Sequence, residues 1–301
     1  MNIIKYRKVW LIISAIMVLV SIPLIFIFKL ELGIDFTGGS LVEIKTKDKQ
    51  SIGQLREKIN TFYDKKALVI QESGDNQFII RTASLEGGSY KEFENNLKSK
   101  LDNPDILRHE SIGASVGRAT TNNAIYALLV ASALIIIYLA AAFRKVPRSV
   151  SPWAFGSIAI LTLVHDLSFS FAVFSVVGRI VGFELDSTIL VAALTILGFS
   201  VHDTIVVFDR IRENIIKNPQ KSLADNAEIS INQTIARSLN TSLTAILVLV
   251  SMLILGGATI RSFTLMLAMG IGIGTYSSIF VASPILVTYY EYLNRRSKRS
   301  K

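Results

Sequence analysis

The chain has 301 residues, half of them hydrophobic and only 18% charged. An ordinary soluble domain carries about 25% charged residues, and a mean hydropathy of +0.46 points to lipid rather than water as the main solvent. The net charge of +9 would suit a nucleic-acid binder, but no nucleic-acid motif accompanies it, and the placement of the charges gives them another purpose. With no cysteine, disulfides and thiolate metal sites are excluded, and the three histidines at 109, 165 and 202 are too scattered for a metal site. No cofactor is expected.

About 20 consecutive apolar residues carry a helix across the hydrocarbon core. The first such run, Val9 to Phe28, lies between Lys8 and Lys29. It is longer than the apolar stretch of a signal peptide and no small-residue cleavage site follows, so an uncleaved anchor is expected. The long segment that follows reads as a small α+β domain. Ser40 to Thr46 alternates with period two, as a half-buried strand does. Gly53 to Tyr63 has Leu55, Ile59 and Phe62 at helical spacing. Ala67 to Gln71 and Gln77 to Arg81 flank the turn Gly74-Asp75-Asn76 as a hairpin. Tyr90 to Leu101 is a second helix, and Ile106 to Ser115 a fourth strand. The order β-α-β-β-α-β predicts a ferredoxin-like split βαβ fold.

Five further runs follow. Asn123 to Phe143 ends at Arg144. Pro152 to Gly178 is interrupted only by His165 and Asp166. Ser187 to Phe208 is interrupted only by His202 and Asp203. Ser238 to Ile260 lies between Arg237 and Arg261, and Ser262 to Tyr290 ends at Glu291. Between the fourth and fifth runs, residues 209 to 237 form a charged loop in which Ser222 to Arg237 predicts an amphipathic surface helix. The expected fold is an α-helical membrane protein with six transmembrane helices and one small exported α+β domain. The divisions are 1–29 for the tail and first helix, 30–121 for the exported domain, 122–290 for the remaining bundle, and 291–301 for a basic tail.

Charge sets the orientation. The four segments that would share one side with the N-terminus carry sixteen Lys and Arg against five Asp and Glu. The long loop from Lys29 to Asn122 balances fourteen of each, and the two short loops on its side hold one Arg each, Arg179 and Arg261. By the positive-inside rule both termini are cytoplasmic and the α+β domain is exported. The basic excess also suits anionic lipid, which replaces nucleic acid as the expected partner of the charge.

Ionisable groups within membrane helices are costly and mark function. Asp166 stands roughly 20 Å into its run at 1.5 Å per residue. Asp203 is about 8 Å from the cytoplasmic end of its run, or deeper if the helix continues toward Arg212. Arg237, at the cytoplasmic start of the fifth run, cannot deprotonate in practice, and its fork suits a carboxylate. Desolvation favours a protonated acid and an approaching cation favours the anion, so Asp203 and Arg237 could form a proton switch. A static ion pair or helix cap is the plainer reading of Asp203, and an interfacial anchor the plainer one of Arg237. His165 and Asp166 are neighbours about 100° apart on a helix, so they are expected to bond other helices rather than each other. His202 belongs to the same intramembrane polar set but to a different face from Asp203. Gly270, Gly272 and Gly274 allow close helix approach rather than nucleotide binding, and Gly256-Gly257 forms the exported turn between the last two helices. No G-x-G-D surrounds either Asp, and H-E-x-x-H is absent, so no enzyme is expected.

Asp35-Phe36-Thr37-Gly38-Gly39 directly after the first helix resembles the D-F-T-G-G motif of the SecF subunits of the bacterial SecD/SecF protein-export machinery. The seventeen residues from Gly198 to Asn214, the run from Arg237 to Ser242, and His165-Asp166 also resemble that family. The resemblance covers essentially the whole chain. It implies a half-transporter of the RND superfamily in the bacterial inner membrane. Such a subunit pairs with SecD, assists the Sec translocon channel, and uses the proton motive force to complete export of preproteins. It also implies that Asp203 and Arg237 conduct protons, while Asp35 to Gly39 form a structural motif that turns the chain into the first strand. The rivals are an RND-type transporter of small molecules or lipids and a scaffold subunit that couples no energy.

Overall fold

A computed structural model describes residues 2–63, 68–85, 88–144 and 151–299. Ala67, expected to start the second strand, and the basic residues Lys145, Arg148 and Lys301 lie outside the described residues. In chain order the elements are α1 (Arg7–Phe28), the single turn α2 (Ile34–Thr37), β1 (Gly39–Lys45), α3 (Ile52–Asn60), β2 (Val69–Gly74), β3 (Gln77–Thr82), α4 (Gly88–Lys100) and β4 (Asp105–Ile112). Then come α5 (Ala114–Ala142), α6 (Pro152–Val181), α7 (Ser187–Lys217), α8 (Leu223–Leu255), α9 (Ala258–Ser277), a π-helical turn (Ser278–Ala282) and α10 (Ser283–Arg299). Among the described residues, six spans are long and apolar enough to cross a membrane: α1, α5, α6, α7, α8, and α9 with its continuation. The chain divides into two units, one of Glu31–Ile125 with Glu184–Ser187 and one of the remaining helices.

The first unit is the α+β domain. Its sheet is antiparallel with order β2-β3-β1-β4, so the first strand is central and the crossovers are those of the split βαβ motif. Alternation in β1 aims Val42 and Ile44 at one face, where Phe78, Ile80, Leu55, Ile59, Phe93 and Leu97 complete the core. Ser51 and Gln54 form a capping box that starts α3. The hairpin turns through Asn76 at a φ of 58°, a conformation Asn tolerates.

The chain enters β1 through two glycines with positive φ, Gly38 at +73° and Gly39 at +133°. A Cβ at Gly38 would lie 2.8 Å from the Ala114 Cα, and one at Gly39 would lie 2.8 Å from the Thr82 carbonyl oxygen. Backbone packs on backbone here, which is why side chains are absent. The preceding turn, α2, buries Ile34 and Phe36, and the Thr37 hydroxyl donates back to the Gly33 carbonyl at 3.1 Å.

Residues 184–187 strap onto this unit, a contact that no local pattern in the sequence announces. The Gly33 amide donates to the Leu185 carbonyl and the Leu185 amide to the Glu31 carbonyl, both at 2.8 Å. Asp35 Oδ2 accepts from the Ser187 amide at 2.7 Å, at the first residue of α7. Arg81 pairs with Glu184 and donates to Gln71 Oε1 at 3.1 Å. Burial pushes the Arg81 guanidinium down to about 10, against the opposing pull of Glu31. It therefore stays charged at neutral pH and requires its carboxylates.

The second unit is a helix bundle. Its core gathers Leu139, Phe155, Phe208, Ile211, Ile231 and Leu286 with their neighbours. Phe143 stacks on Phe155 at 4.6 Å between ring centroids, and both meet Phe208 edge-on. A Cβ at Gly270 would lie 2.2 Å from Ile196, and one at Gly274 would lie 3.1 Å from Ser200, so the small residues of α9 let it close on α7. Gly256 and Gly257 cap the end of α8 and the start of α9. The N-terminal segment is pinned by Glu228, whose carboxylate accepts the Ile3 and Ile4 amides at 2.8 and 2.6 Å.

Three expectations change. The amphipathic segment 222–237 and the fifth membrane run are one helix, α8, of 33 residues, because nothing between them breaks the backbone ladder. The fourth run does not stop at Phe208: α7 continues to Lys217, since its charged end is still made of helix-forming residues. The sixth span contains a π-helical turn, which hydrophobic periodicity does not reveal.

Replacing Gly38 with Ala is expected to cost about 2 kcal/mol or more through positive-φ strain and backbone collision. The check is a lowered thermal unfolding temperature of the full chain in detergent. Glu184→Gln leaves the Arg81 charge short of a partner and is expected to cost about 3 kcal/mol locally. Hydrogen exchange at the Gly33 and Leu185 amides should accelerate, and unchanged exchange would show that the ion pair does not hold the strap.

Candidate functional site

The site is built on α7. Asp203 stands sixteen residues after its first residue and fourteen before its last, about 24 and 21 Å from the two ends. The apolar flanks Val201, Val207 and Phe208 are buried with it. Asp203 Oδ1 accepts from the Ser238 hydroxyl of α8 at 2.5 Å. Its Oδ2 is buried and has no hydrogen-bond partner among the described residues.

One turn earlier on the same helix, the Ser200 hydroxyl donates to Asp166 Oδ2 of α6 at 2.6 Å. The Ser277 hydroxyl of α9 donates to the same oxygen at 2.7 Å. Asp166 Oδ1 meets His165 Nδ1 at 2.9 Å. The Thr204 hydroxyl donates to the Ser200 carbonyl at 3.0 Å and meets the Ser278 hydroxyl at 3.0 Å. Ser242 of α8 bonds Thr275 of α9 and donates to the Ser238 carbonyl at 2.9 Å. Two carboxyls thus sit in a lattice of hydroxyls joining four helices. Thr204, Ser242, Thr275, Ser277 and Ser278 also bond the carbonyl about one turn back, which keeps a hydroxyl inexpensive in an apolar bundle, whereas Ser200 and Ser238 give theirs to the two carboxyls.

The structure treats the expected site residues unequally. Asp203 faces α8, as a switch with that helix requires. Its partner there is Ser238, however, and no Asp203–Arg237 ion pair occurs among the described residues. Arg237 is exposed, because consecutive helical residues point about 100° apart and Ser238 takes the inward direction. His202 is likewise exposed on α7, with Thr195 and Gly198 on the same face. The expectation that His165 and Asp166 avoid each other is overturned, since short side chains on neighbouring positions turn toward one another and close the gap. Asp166 does also bond neighbouring helices. Asp35 to Gly39 lie in the α+β unit, where their partners are backbone groups, and among the described residues no cluster of three metal-ligating side chains occurs. The hydroxyls of Ser200, Thr204, Ser238, Ser242, Thr275, Ser277 and Ser278 were not singled out from the sequence. Their signal was present as polar residues at i, i+4 spacing inside otherwise apolar runs.

Residues 92–292 match the family described as "Protein export membrane protein SecD/SecF, C-terminal", and residues 24–49 match the "SecD/SecF GG Motif". A protein of Thermobaculum terrenum named "Protein translocase subunit SecF" is 38% identical over 96% of this chain and 93% of its own length. One of Sebaldella termitidis with the same name is 36% identical over 99% and 93%. One of Haemophilus influenzae is 33% identical over 93% and 83%. The crystal structure of SecDF, a translocon-associated membrane protein from Thermus thermophilus, superposes with a TM-score of 0.84 at 31% identity. It covers 97% of this chain, which spans 39% of that longer one. A SecDF structure in a super-membrane-facing form gives 0.71 at 29% identity, covering all of this chain and 40% of its own. With two family models and full-length relatives in agreement, the chain belongs to the SecD/SecF family of protein-export membrane proteins.

Proposed function

We propose that this multi-pass membrane protein is the subunit that pairs with SecD beside the Sec translocon channel, and that it couples the proton motive force to the export of preproteins. The observation that carries the reading is Asp203: a buried carboxyl at mid-helix with one oxygen held by Ser238 and the other without a partner. A charge taken out of water without a counter-charge is expensive, so this group is suited to carry a proton on Oδ2 and to give it up only when a cation approaches. Arg237 is the cation, one residue from Ser238. A rotation of α8 by about 100° exchanges the hydroxyl for the guanidinium. Proton loss from Asp203 and movement of α8 then become the same event.

The exposed faces support a partner. His202, Thr195 and Gly198 on α7, and Arg237, Asn240, Thr241 and Thr244 on α8, are exposed in this chain. Polar groups within membrane helices face protein or water-filled paths rather than lipid, and small residues permit close helix contact. SecD, as a second half-bundle, would cover them. The outward apolar side chains of α1 and α5, including Phe26, Leu129 and Leu134, suit lipid. The distribution of Lys and Arg supports cytoplasmic termini and an exported α+β domain, and the likeness to SecF proteins supports the bacterial inner membrane.

The test is proton flux in vesicles containing the chain with SecD, and preprotein export driven by an imposed proton gradient. Asp203→Asn is expected to abolish flux and gradient-dependent export while the complex still assembles. Arg237→Lys keeps a charge but not the fork, and should retain only part of both. If both variants export at the wild-type rate while deletion of the chain does not, the subunit is a scaffold and the coupling reading fails.

A further inference from the structure

Asp166 is fully buried on α6, and the switch between Asp203 and Arg237 makes no use of it. Its oxygens are divided between different kinds of partner. Oδ2 takes two neutral hydroxyls, from Ser200 and Ser277. Oδ1 meets His165, the one titratable side chain bonded to it among the described residues. The imidazole is itself buried, at 4% exposed, and its second nitrogen, Nε2, has no hydrogen-bond partner among those residues. Orphaned buried polar atoms are rare in folded proteins. With Nδ1 on Asp166, Nε2 is the imidazole nitrogen left to take a proton.

The surroundings of the pair are otherwise sparse in charge. From α9, the Tyr276 ring stacks against the imidazole with centroids 6.3 Å apart, and its hydroxyl meets Ser14 of α1 at 3.2 Å. From α7 the bonded group is the Ser200 hydroxyl, and Asp203 follows three residues later, about 4.5 Å along the helix axis. Both carboxyls are thus attached to one turn of α7. On the other side, Ser277 ends α9 immediately before the π-helical turn, a backbone form that often marks functional sites.

We propose that His165 and Asp166 form a second proton-holding station, distinct from Asp203 and loaded through His165 Nε2. This rests on the proton-coupling reading and deepens it. In the empty state Nδ1 carries the imidazole proton and donates it to an ionised Asp166, leaving Nε2 bare. A proton then binds Nε2 while the Nδ1 proton passes to Asp166 Oδ1. One N–H bond forms, one breaks and one O–H bond forms. The imidazole is neutral before and after, having exchanged tautomers, and the charge of the pair goes from −1 to 0. The Ser200 and Ser277 hydroxyls lose a charged acceptor, and hydrogen bonds to ions are about twice as strong as neutral ones. Loading the station therefore slackens the bonds from α6 to α7 and to the end of α9, next to the π-helical turn.

His165→Asn separates this from a bracing role. The Asn amide takes the place of Nδ1 and keeps the bond to Asp166, but it has neither Nε2 nor basicity. In vesicles holding the full chain with SecD, the variant is expected to assemble and unfold at the wild-type temperature while proton flux falls roughly 10²-fold, the low end for a positioned proton-transfer group. In the wild-type complex, nitrogen NMR of labelled histidine should show the His165 proton moving from Nδ1 to Nε2 as pH falls, and Asp166→Asn should abolish that exchange. Wild-type flux in His165→Asn, or one tautomer at every pH, overturns the proposal. Asp203→Asn serves as the control. If it stops flux while His165→Asn does not, the second station alone is wrong; if neither variant alters flux, the coupling reading beneath it is wrong as well.

Discussion

A carboxyl group cannot be taken into an apolar helix bundle without something to replace the water it leaves. Much of the arrangement of α6, α7, α8 and α9 follows from that constraint. Asp166 is answered by two hydroxyls and an imidazole, brought by α6 itself, α7 and α9. Asp203 is answered on one oxygen by Ser238 of α8, the other having no hydrogen-bond partner among the described residues. The first is a satisfied group whose partners lock three helices together. The second has one oxygen held and one without a partner among the described residues. The hydroxyl lattice ties Asp166 of α6 to Ser200 of α7, less than one turn from Asp203.

Close packing makes the lattice reachable. Hydroxyls on different helices bond only if the helix axes approach, and Gly270 and Gly274 remove the side chains that would hold α9 away from α7. The π-helical turn then releases the regular register just where Ser277 and Ser278 must point in two directions, one to Asp166 and one to Thr204. The α+β unit uses glycine for the same end by different means. Gly38 and Gly39 adopt angles that a side chain resists and let β1, the start of α5 and the end of β3 meet at their backbones. Asp35, three residues before Gly38, uses its carboxylate on the first amide of α7, an anion at a helix N-terminus.

Much of the architecture was legible before any coordinates. Six apolar runs, the period-two alternation around Val42 and Ile44, and the helical spacing of Leu55 with Ile59 are local patterns, and local patterns survive folding when each has one face to bury. The α+β topology was legible for a related reason, since few arrangements of β-α-β-β-α-β bury both helices on one face of a sheet. The boundaries were less so. Continuous helix across Arg237 and beyond Phe208 costs nothing locally, so only packing decides whether it stops.

The sequence by itself determined which residues are costly in a membrane: Asp166, Asp203 and their neighbouring histidines stand out because nothing apolar can explain them. Tertiary structure alone decided what each one touches. A one-residue step on a helix turns a side chain by about 100°, so Ser238 rather than Arg237 meets Asp203, and His202 faces outward while Asp203 faces in. The strap of residues 184–187 and the partners that the Ser and Thr hydroxyls take across helices were likewise invisible in the sequence, although the i, i+4 spacing of those hydroxyls was not. Hydrogen bonds between residues from 33 to 152 positions apart leave no local pattern to read.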